Sequence, residues 1–303
     1  MAATPSRTSD TDLIVIGGGP AGCAAARMAA SVGMRSVLIE PDRLCRNLYR
    51  ITALNNVLGG YTNGPELAHS ISADLKRTDR CRIELGHRAT EIRAFDDHVA
   101  VTLETGARLT APHVVLATGV GALQPRDADW ITAPPNLTLP PLWQAEPHHA
   151  EDRTLLVLGG DRPIGTFLRA YPDINTRLLV AYPASDEYKV EEIRDDPRVT
   201  LLRIDHLLLR SPQGPVITAE ALSRDGERST VEADVTFLNI GSAPIAPPGD
   251  LVRDAAGYCP PSDQHSRIII AGDLRSSQFQ RIATAMGSGS EAALRAYYAT
   301  RNS

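Results

Sequence analysis

DLIVIGGGPAG, Asp12–Gly22, is the stretch that decides the fold. Leu13–Ile16 is an apolar run of the length of a short buried strand. Gly17, Gly19 and Gly22 complete G-x-G-x-x-G, and after Pro20 and Ala21 the small-residue run AAARMAASVG reads as a helix. SVLIE, Ser36–Glu40, reads as the next strand and ends in an acid. Each glycine has its own reason. Gly17 permits the tight turn, Gly19 lets the backbone approach a pyrophosphate, and Gly22 lets helix and strand pack closely. The helix N-terminus then faces the phosphates. Glu40, 18 residues past Gly22, stands where a carboxylate accepts ribose hydroxyls. The stretch reads as a dinucleotide-binding turn.

The rest of the chain bounds the answer. At 303 residues and 43% hydrophobic, it is long enough for two modest domains. The net charge of −5, with no basic face evident, argues against nucleic acid as a partner. The basic residues are nearly all Arg; Lys occurs only at Lys76 and Lys189, a composition bias that fits no charged motif. The opening MAATPSRTSD is polar, and no apolar run approaches the roughly 18 residues of a membrane span. The expectation is a cytoplasmic protein with no membrane partner. Cys23, Cys45, Cys81 and Cys259 form no CxxC and no metal-ligand spacing, so no metal is expected.

SRIIIAGDLRSSQFQRIATAMGSGSEAALRAYYA, Ser266–Ala299, reads as a buried strand, an Ala-Gly-Asp turn and a helix. VVLATG (Val114–Gly119) and LNNVLGGYTNGPELAHSI (Leu54–Ile71) complete a set of segments in one order. Together these stretches resemble the low-molecular-weight thioredoxin reductase branch of the two-dinucleotide-domain flavoproteins. The resemblance implies FAD as cofactor and an α/β fold of two Rossmann-like three-layer domains, the second inserted into the first. It implies an FAD domain of residues 1–119 plus 245–303 and a degenerate NAD(P)-binding-like domain of residues 120–244. It implies cofactor contacts from Gly17, Gly19, Pro20, Ala21, Gly22, Glu40, Asn47, Asn56, Thr118, Gly119, Gly272 and Asp273. Gln280, Arg281 and Ile282, in the helix start Phe279–Ile282, join that set. In the family the Asp of the AGD turn meets the ribityl chain and the next helix points at the flavin ring. The resemblance also implies a homodimer.

LLVLGGDRPIG, Leu155–Gly165, repeats the first turn with damage. Gly159 takes the place of Gly17, Asp161 that of Gly19 and Ile164 that of Gly22. A carboxylate at the middle position repels phosphates. Sliding the frame makes Gly160 and Gly165 the outer glycines, with Arg162 between them, and Pro163 removes an N–H from the helix start. The family's basic 2′-phosphate motif is missing as well. TRLLVAYPASDEYKV (Thr176–Val190) has Pro183, Ala184, Asp186 and Glu187 where Arg residues belong, and DEYKVEEIRDD reads as a solvated helix face. The family's redox CxxC falls on LWQA, so Leu142 and Ala145 replace the two cysteines and no dithiol relay is possible.

The expectation is therefore an FAD-dependent oxidase or dehydrogenase of a small-molecule substrate in specialised metabolism. Its flavin is reduced by that substrate and reoxidised by O2, without a disulfide relay and without NAD(P)H. Candidate acid–base residues are His148, His149 and Glu146 in EPHHAED, with Arg46 as a flavin or substrate contact. Trp130 and Trp143, both in the connector of residues 120–150, whose stretch Ala133–Trp143 is Pro-rich and extended, are either a stacking wall over the flavin or hinge packing. Cys45 is either a nucleophile or a buried thiol; Cys23 and Cys81 read as packing residues. Two rival readings stay open. One is an NAD(P)H-fed reductase that passes electrons to a ferredoxin-like protein. The other is a non-catalytic, flavin-binding interaction protein.

Overall fold

The structure, a computed structural model, describes residues 11–51, 53–210, 217–223 and 226–301. In chain order it opens with β1 (Leu13–Ile16), α1 (Pro20–Ser31), β2 (Ser36–Glu40), α2 (Gly64–Lys76) and β3 (Cys81–Leu85). Then come β4 (Ala89–Ala94), β5 (Val99–Leu103), β6 (Arg108–Ala111), β7 (His113–Leu116), β8 (Val120–Ala122) and β9 (Ile131–Thr132). The middle of the chain forms α3 (Pro147–Ala150), β10 (Arg153–Leu158), α4 (Pro163–Ala170), β11 (Thr176–Tyr182), β12 (Val199–Arg203) and β13 (His206–Leu209). The last elements are β14 (Ile217–Leu222), β15 (Arg228–Ala233), β16 (Val235–Leu238), β17 (Ser242–Pro244), β18 (Ile268–Ile270) and α5 (Ile282–Arg301). The chain divides into a first unit, residues up to 121 and from 244 on, and a second unit of residues 122–243.

The first unit is built on a parallel sheet of order β18-β7-β1-β2-β3. Alternation along β1 decides its layers. Leu13 and Val15 face α1, α2 and α5, while Ile14 and Ile16 face the antiparallel sheet β4-β5-β6 through Ile92, Val99 and Val101. β1 is buried on both faces, which is why it reads as a continuous apolar run. Helix α1 starts after Gly19 with proline in its first turn and ends before Gly33, whose φ of +86° suits the glycine that follows a helix.

The second unit repeats the plan. Its parallel sheet has order β12-β11-β10-β16. Leu155 and Val157 face α4, and Leu156 and Leu158 face the sheet β15-β14-β13-β9. Leu142 and Ala145 are buried in this core together with Leu155 and Val157. Trp130 packs against the opposite core, the cluster that holds Leu156 and Leu207.

Several local readings are corrected. DEYKVEEIRDD is not a solvated helix. It forms two 3-10 segments, Ala184–Lys189 and Glu191–Ile193, because Val190 and Ile193 turn into the core. EPHHAED holds the helical turn α3. Helix α5 begins at Ile282, which leaves Phe279–Arg281 in the preceding loop.

One buried base makes the fold sensitive to acid. His113 opens β7, is 4% exposed and has an Nδ1 without a partner. Burial, helped by the Arg267 cation, lowers its pKa to about 4. The unfolded chain takes up this proton near pH 6.5, the folded chain only near pH 4. The stability is therefore complete above the unfolded value and is lost as pH falls between the two, by about 3 kcal/mol in all. In urea titrations at pH 7 and pH 4.5, His113→Leu is expected to lose about 2–3 kcal/mol less than wild type between the two. Equal losses would mean that His113 is protonated while folded.

Candidate functional site

The first unit's turn is shaped for a dinucleotide. Gly17 holds φ +102°, and a Cβ there would lie 2.5 Å from the Ala117 carbonyl oxygen. A Cβ on Gly22 would lie 1.8 Å from the Gly17 oxygen, so helix and turn touch as only glycine allows. Gly19 is the opposite case: a Cβ would meet nothing within 4 Å. The middle glycine faces open space at a helix N-terminus, the place where a pyrophosphate belongs. Glu40 curls back at the end of β2. Its Oε2 accepts the Gly18 N–H at 2.7 Å and its Oε1 the Asp42 N–H at 3.0 Å.

The far end of the chain closes on the same helix. Gly272, φ +70°, lies where a Cβ would meet the Ala21 Cβ at 2.9 Å, and its N–H donates to Ser288 Oγ at 2.9 Å. The AGD turn therefore sits against the start of α1. Burial pushes the Asp273 carboxyl above its ordinary pKa, and Arg281 opposes this. The Gln280 side-chain amide donates to the Asp273 and Ser276 carbonyls at 3.3 and 3.0 Å. Thr118 Oγ1 donates to the Ile245 carbonyl, and Gly119 O accepts the Ile245 N–H at 2.9 Å, where the chain leaves and re-enters the unit. These residues suit FAD. Gly17, Gly19 and Gly22 would hold the pyrophosphate, Glu40 the ribose and Asp273 the ribityl chain. When bound, FAD supplies two-electron transfer.

The other predicted residues make contacts of their own. Arg46 is exposed and paired with Asp42 at 3.1 Å. Asn47 and Asn56 are exposed, Asn47 just before the turn Leu48–Arg50. His148, His149 and Glu146 lie in the second unit and serve each other. His148 Nδ1 is 3.3 Å from Glu146 Oε2, the two histidine rings are 3.9 Å apart, and His149 Nδ1 accepts the Glu146 N–H at 3.1 Å. Sequence separation hid one association. Cys23 and Cys45 are buried with their sulfurs 3.9 Å apart, and both reach the Gly18 carbonyl, through Cys23 Sγ at 3.2 Å and the Cys45 N–H at 2.7 Å. The Cys45 contact and burial hold the Cys23 thiol well above its ordinary pKa, which makes it a poor nucleophile. Of the two readings of Cys45, the buried thiol is the one its position matches.

The second unit's turn keeps half of the design. Gly159 holds φ +100° against the Asn239 carbonyl, as Gly17 does against Ala117. The Gly160 N–H donates to Asp186 Oδ2 at 3.4 Å, and the Gly160 Cβ position falls on Val190 and Asp186, just as that of Gly18 falls on Leu44 and Glu40. In each unit the acid and the apolar residue are four apart. That spacing was a signal in the sequence. Burial pulls the Lys189 pKa down, but ion pairing with Asp186 at 2.9 Å, helped by Asp161, leaves it raised.

The helix side has diverged. α4 starts at Pro163, four residues after Gly159, whereas α1 starts at Pro20, three after Gly17. The turn is one residue longer, so the unslid frame holds for its glycines and the slid frame for its helix. Gly165 does not restore a close approach: a Cβ there would meet the Glu192 carboxylate and Arg169, not the turn. The Asp161 N–H points inward to the Asn239 carbonyl at 3.3 Å. The Asn239 side chain, missed in the sequence, braces the loop by donating to the Gly159 and Asp161 carbonyls at 3.2 and 2.6 Å.

Comparison with known proteins agrees with this geometry. The model of the family described as pyridine nucleotide-disulphide oxidoreductase matches residues 11–160. A protein named NADH dehydrogenase from Ferdinandcohnia aciditolerans is 28% identical over 96% of this chain and 58% of its own length. A component of alkyl hydroperoxide reductase from Staphylococcus aureus is 25% identical over 96% of this chain and 59% of its own length. The chain thus spans less than two thirds of these curated relatives. The fold is that of Lactococcus lactis thioredoxin reductase, with a TM-score of 0.76 at 18% identity over 97% of this chain and 100% of that one. Bacillithiol disulfide reductase from Bacillus cereus gives 0.66 at 17%, over 95% of this chain and 99% of that one. Among the described residues no helix is long and apolar enough to cross a membrane. With the turn built for a dinucleotide, the AGD segment against it and these matches, the chain has the fold of the thioredoxin reductases, and its first 160 residues are similar to the pyridine nucleotide-disulphide oxidoreductase family.

Proposed function

We propose that the flavin of this oxidoreductase is reduced by a small-molecule substrate and reoxidised by O2, with no thiol relay and no nicotinamide nucleotide in the second unit. The observation that carries this reading is the longer second turn. A pyrophosphate is held by N–H groups of the turn and the helix start. Here the Asp161 N–H is given to the Asn239 carbonyl, whereas the Gly160 bond to Asp186 and the proline at the helix start are shared with the first turn, in Gly18–Glu40 and Pro20. The side chain of Asp161 adds negative charge at the same place. The second unit then acts as scaffold, and the protein works as a cytoplasmic homodimer.

One observation favours a second reading, reduction by NADH. Asp186 and Val190 repeat the relation of Glu40 and Leu44 to their turn, and an acid in that place suits a ribose diol and repels a 2′-phosphate. Anaerobic mixing separates the two. With the substrate-reduced reading, the yellow enzyme stays oxidised for many minutes in millimolar NADH or NADPH, and small-molecule donors that bleach it also drive O2 uptake. Prompt bleaching by NADH alone would establish the second reading. Bleaching by NADPH would overturn both.

A further inference from the structure

Gly18, inside the first turn, is gripped at both ends of its backbone. Its N–H goes to the Glu40 carboxylate. Its carbonyl accepts the Cys23 S–H at 3.2 Å and the Cys45 N–H at 2.7 Å. With the Cys23 proton given to that carbonyl, the Cys45 S–H donates to the Cys23 sulfur, 3.9 Å away. Both side chains are buried, at 2% and 1% exposure. The peptide plane carries this inner grip to the outer side of the turn. In a trans peptide the C=O and the next N–H point opposite ways, so a Gly18 carbonyl drawn toward the thiols turns the Gly19 N–H away from them. Gly19 is the residue whose backbone a pyrophosphate approaches.

We propose that Cys23 and Cys45 form a disulfide when the protein meets a hydroperoxide, and that this bond loosens the hold of the first turn on FAD. The proposal rests on FAD binding at that turn and not on which donor reduces the flavin. Cys45 reacts first. It lies in the segment after β2 at φ +55°, a costly region for a residue with a side chain, and a loop opens locally more readily than the helix that carries Cys23. The Cys45 sulfur gives up its proton and attacks one peroxide oxygen, the O–O bond breaks, and one water leaves. Cys23 is a poor nucleophile, but it needs only to meet a sulfur already beside it. Its sulfur, losing its proton, attacks the sulfenic acid on Cys45 and displaces a second water. Two thiols thus give up two electrons, and the peroxide becomes two waters. The sulfurs close from 3.9 Å to about 2 Å. The Gly18 carbonyl loses its S–H donor, and the start of α1 and the segment after β2 are drawn together across the turn.

Hydrogen peroxide is the probe. The FAD-loaded full chain is treated with it, quenched with catalase and divided for thiol counting, peptide mapping and FAD release. Two of the four thiols are expected to disappear, with one pair of linked peptides carrying Cys23 and Cys45. The rate of FAD release on dilution, read by flavin fluorescence, is expected to rise roughly threefold to tenfold and to return with dithiothreitol. In Cys45→Ala the ratio of release rates with and without peroxide is expected to stay at unity, whatever the starting rate. Four intact thiols, or oxidation without a Cys23–Cys45 link, would overturn the proposal. So would a fully linked protein that releases FAD as slowly as the reduced one. Reduced protein that holds no FAD would remove the FAD reading and the proposal with it. The linked peptides are mapped without the cofactor, so the two failures are told apart.

Discussion

A Gly19→Asp variant is expected to fold, to gain slightly in stability without cofactor, and to lose FAD. Gly19 has φ −72° and ψ −178°, extended backbone open to any residue, and a Cβ there meets nothing within 4 Å. Aspartate suits this place before a first helical turn, where α1 has no side-chain cap. Relative to glycine the cap contributes about 0.3 kcal/mol. The same carboxylate would face the pyrophosphate. Like charges at about 4 Å repel by about 4 kcal/mol at an effective dielectric constant of 20, roughly a thousandfold in affinity. FAD content after gel filtration, measured with the Tm of the cofactor-free protein, tests this. Full FAD content in a stable variant would show that the pyrophosphate lies elsewhere.

The second large effect runs against helix propensity. Glycine to alanine inside a helix ordinarily stabilises by about 1 kcal/mol. At Gly289 of α5 a Cβ would lie 1.9 Å from the Ala21 oxygen and 2.7 Å from its carbonyl carbon. Those are backbone atoms of the first turn of α1. They move only if the two helices part, which carries the dinucleotide turn with them. Gly289→Ala is expected to destabilise by about 2–3 kcal/mol and to shed FAD, as overpacking of a tight contact does. Gly287, on the same helix, is exposed and has nothing within 4 Å. There alanine is expected to stabilise by about 0.5–1 kcal/mol. Chemical denaturation of the two variants reads opposite signs two residues apart. Equal stabilities would mean that α1 and α5 do not cross this closely.

The sequence by itself determined the first turn, the AGD segment and the doubled α/β plan. These were legible because each rests on local chemistry. A glycine that must hold φ near +100°, a buried run of four apolar residues and an acid at a strand end are visible without knowing what they touch. The missing thiols were legible for the same reason, since Leu142 and Ala145 carry no sulfur wherever they lie.

Only the tertiary structure decided how the second turn is spent. Its extra residue shows in the distance from Gly159 to the start of α4, and Asn239, 80 residues away, orients the loop. Only the fold brought Cys23 and Cys45 together across 22 residues, and only the fold left Phe279 exposed at a strained φ before a helix that the sequence started too early. The division has one physical cause. Backbone conformation and residue type are local properties, whereas the partner of a given N–H, thiol or ring is chosen by whatever chain the packing of sheet and helices brings alongside.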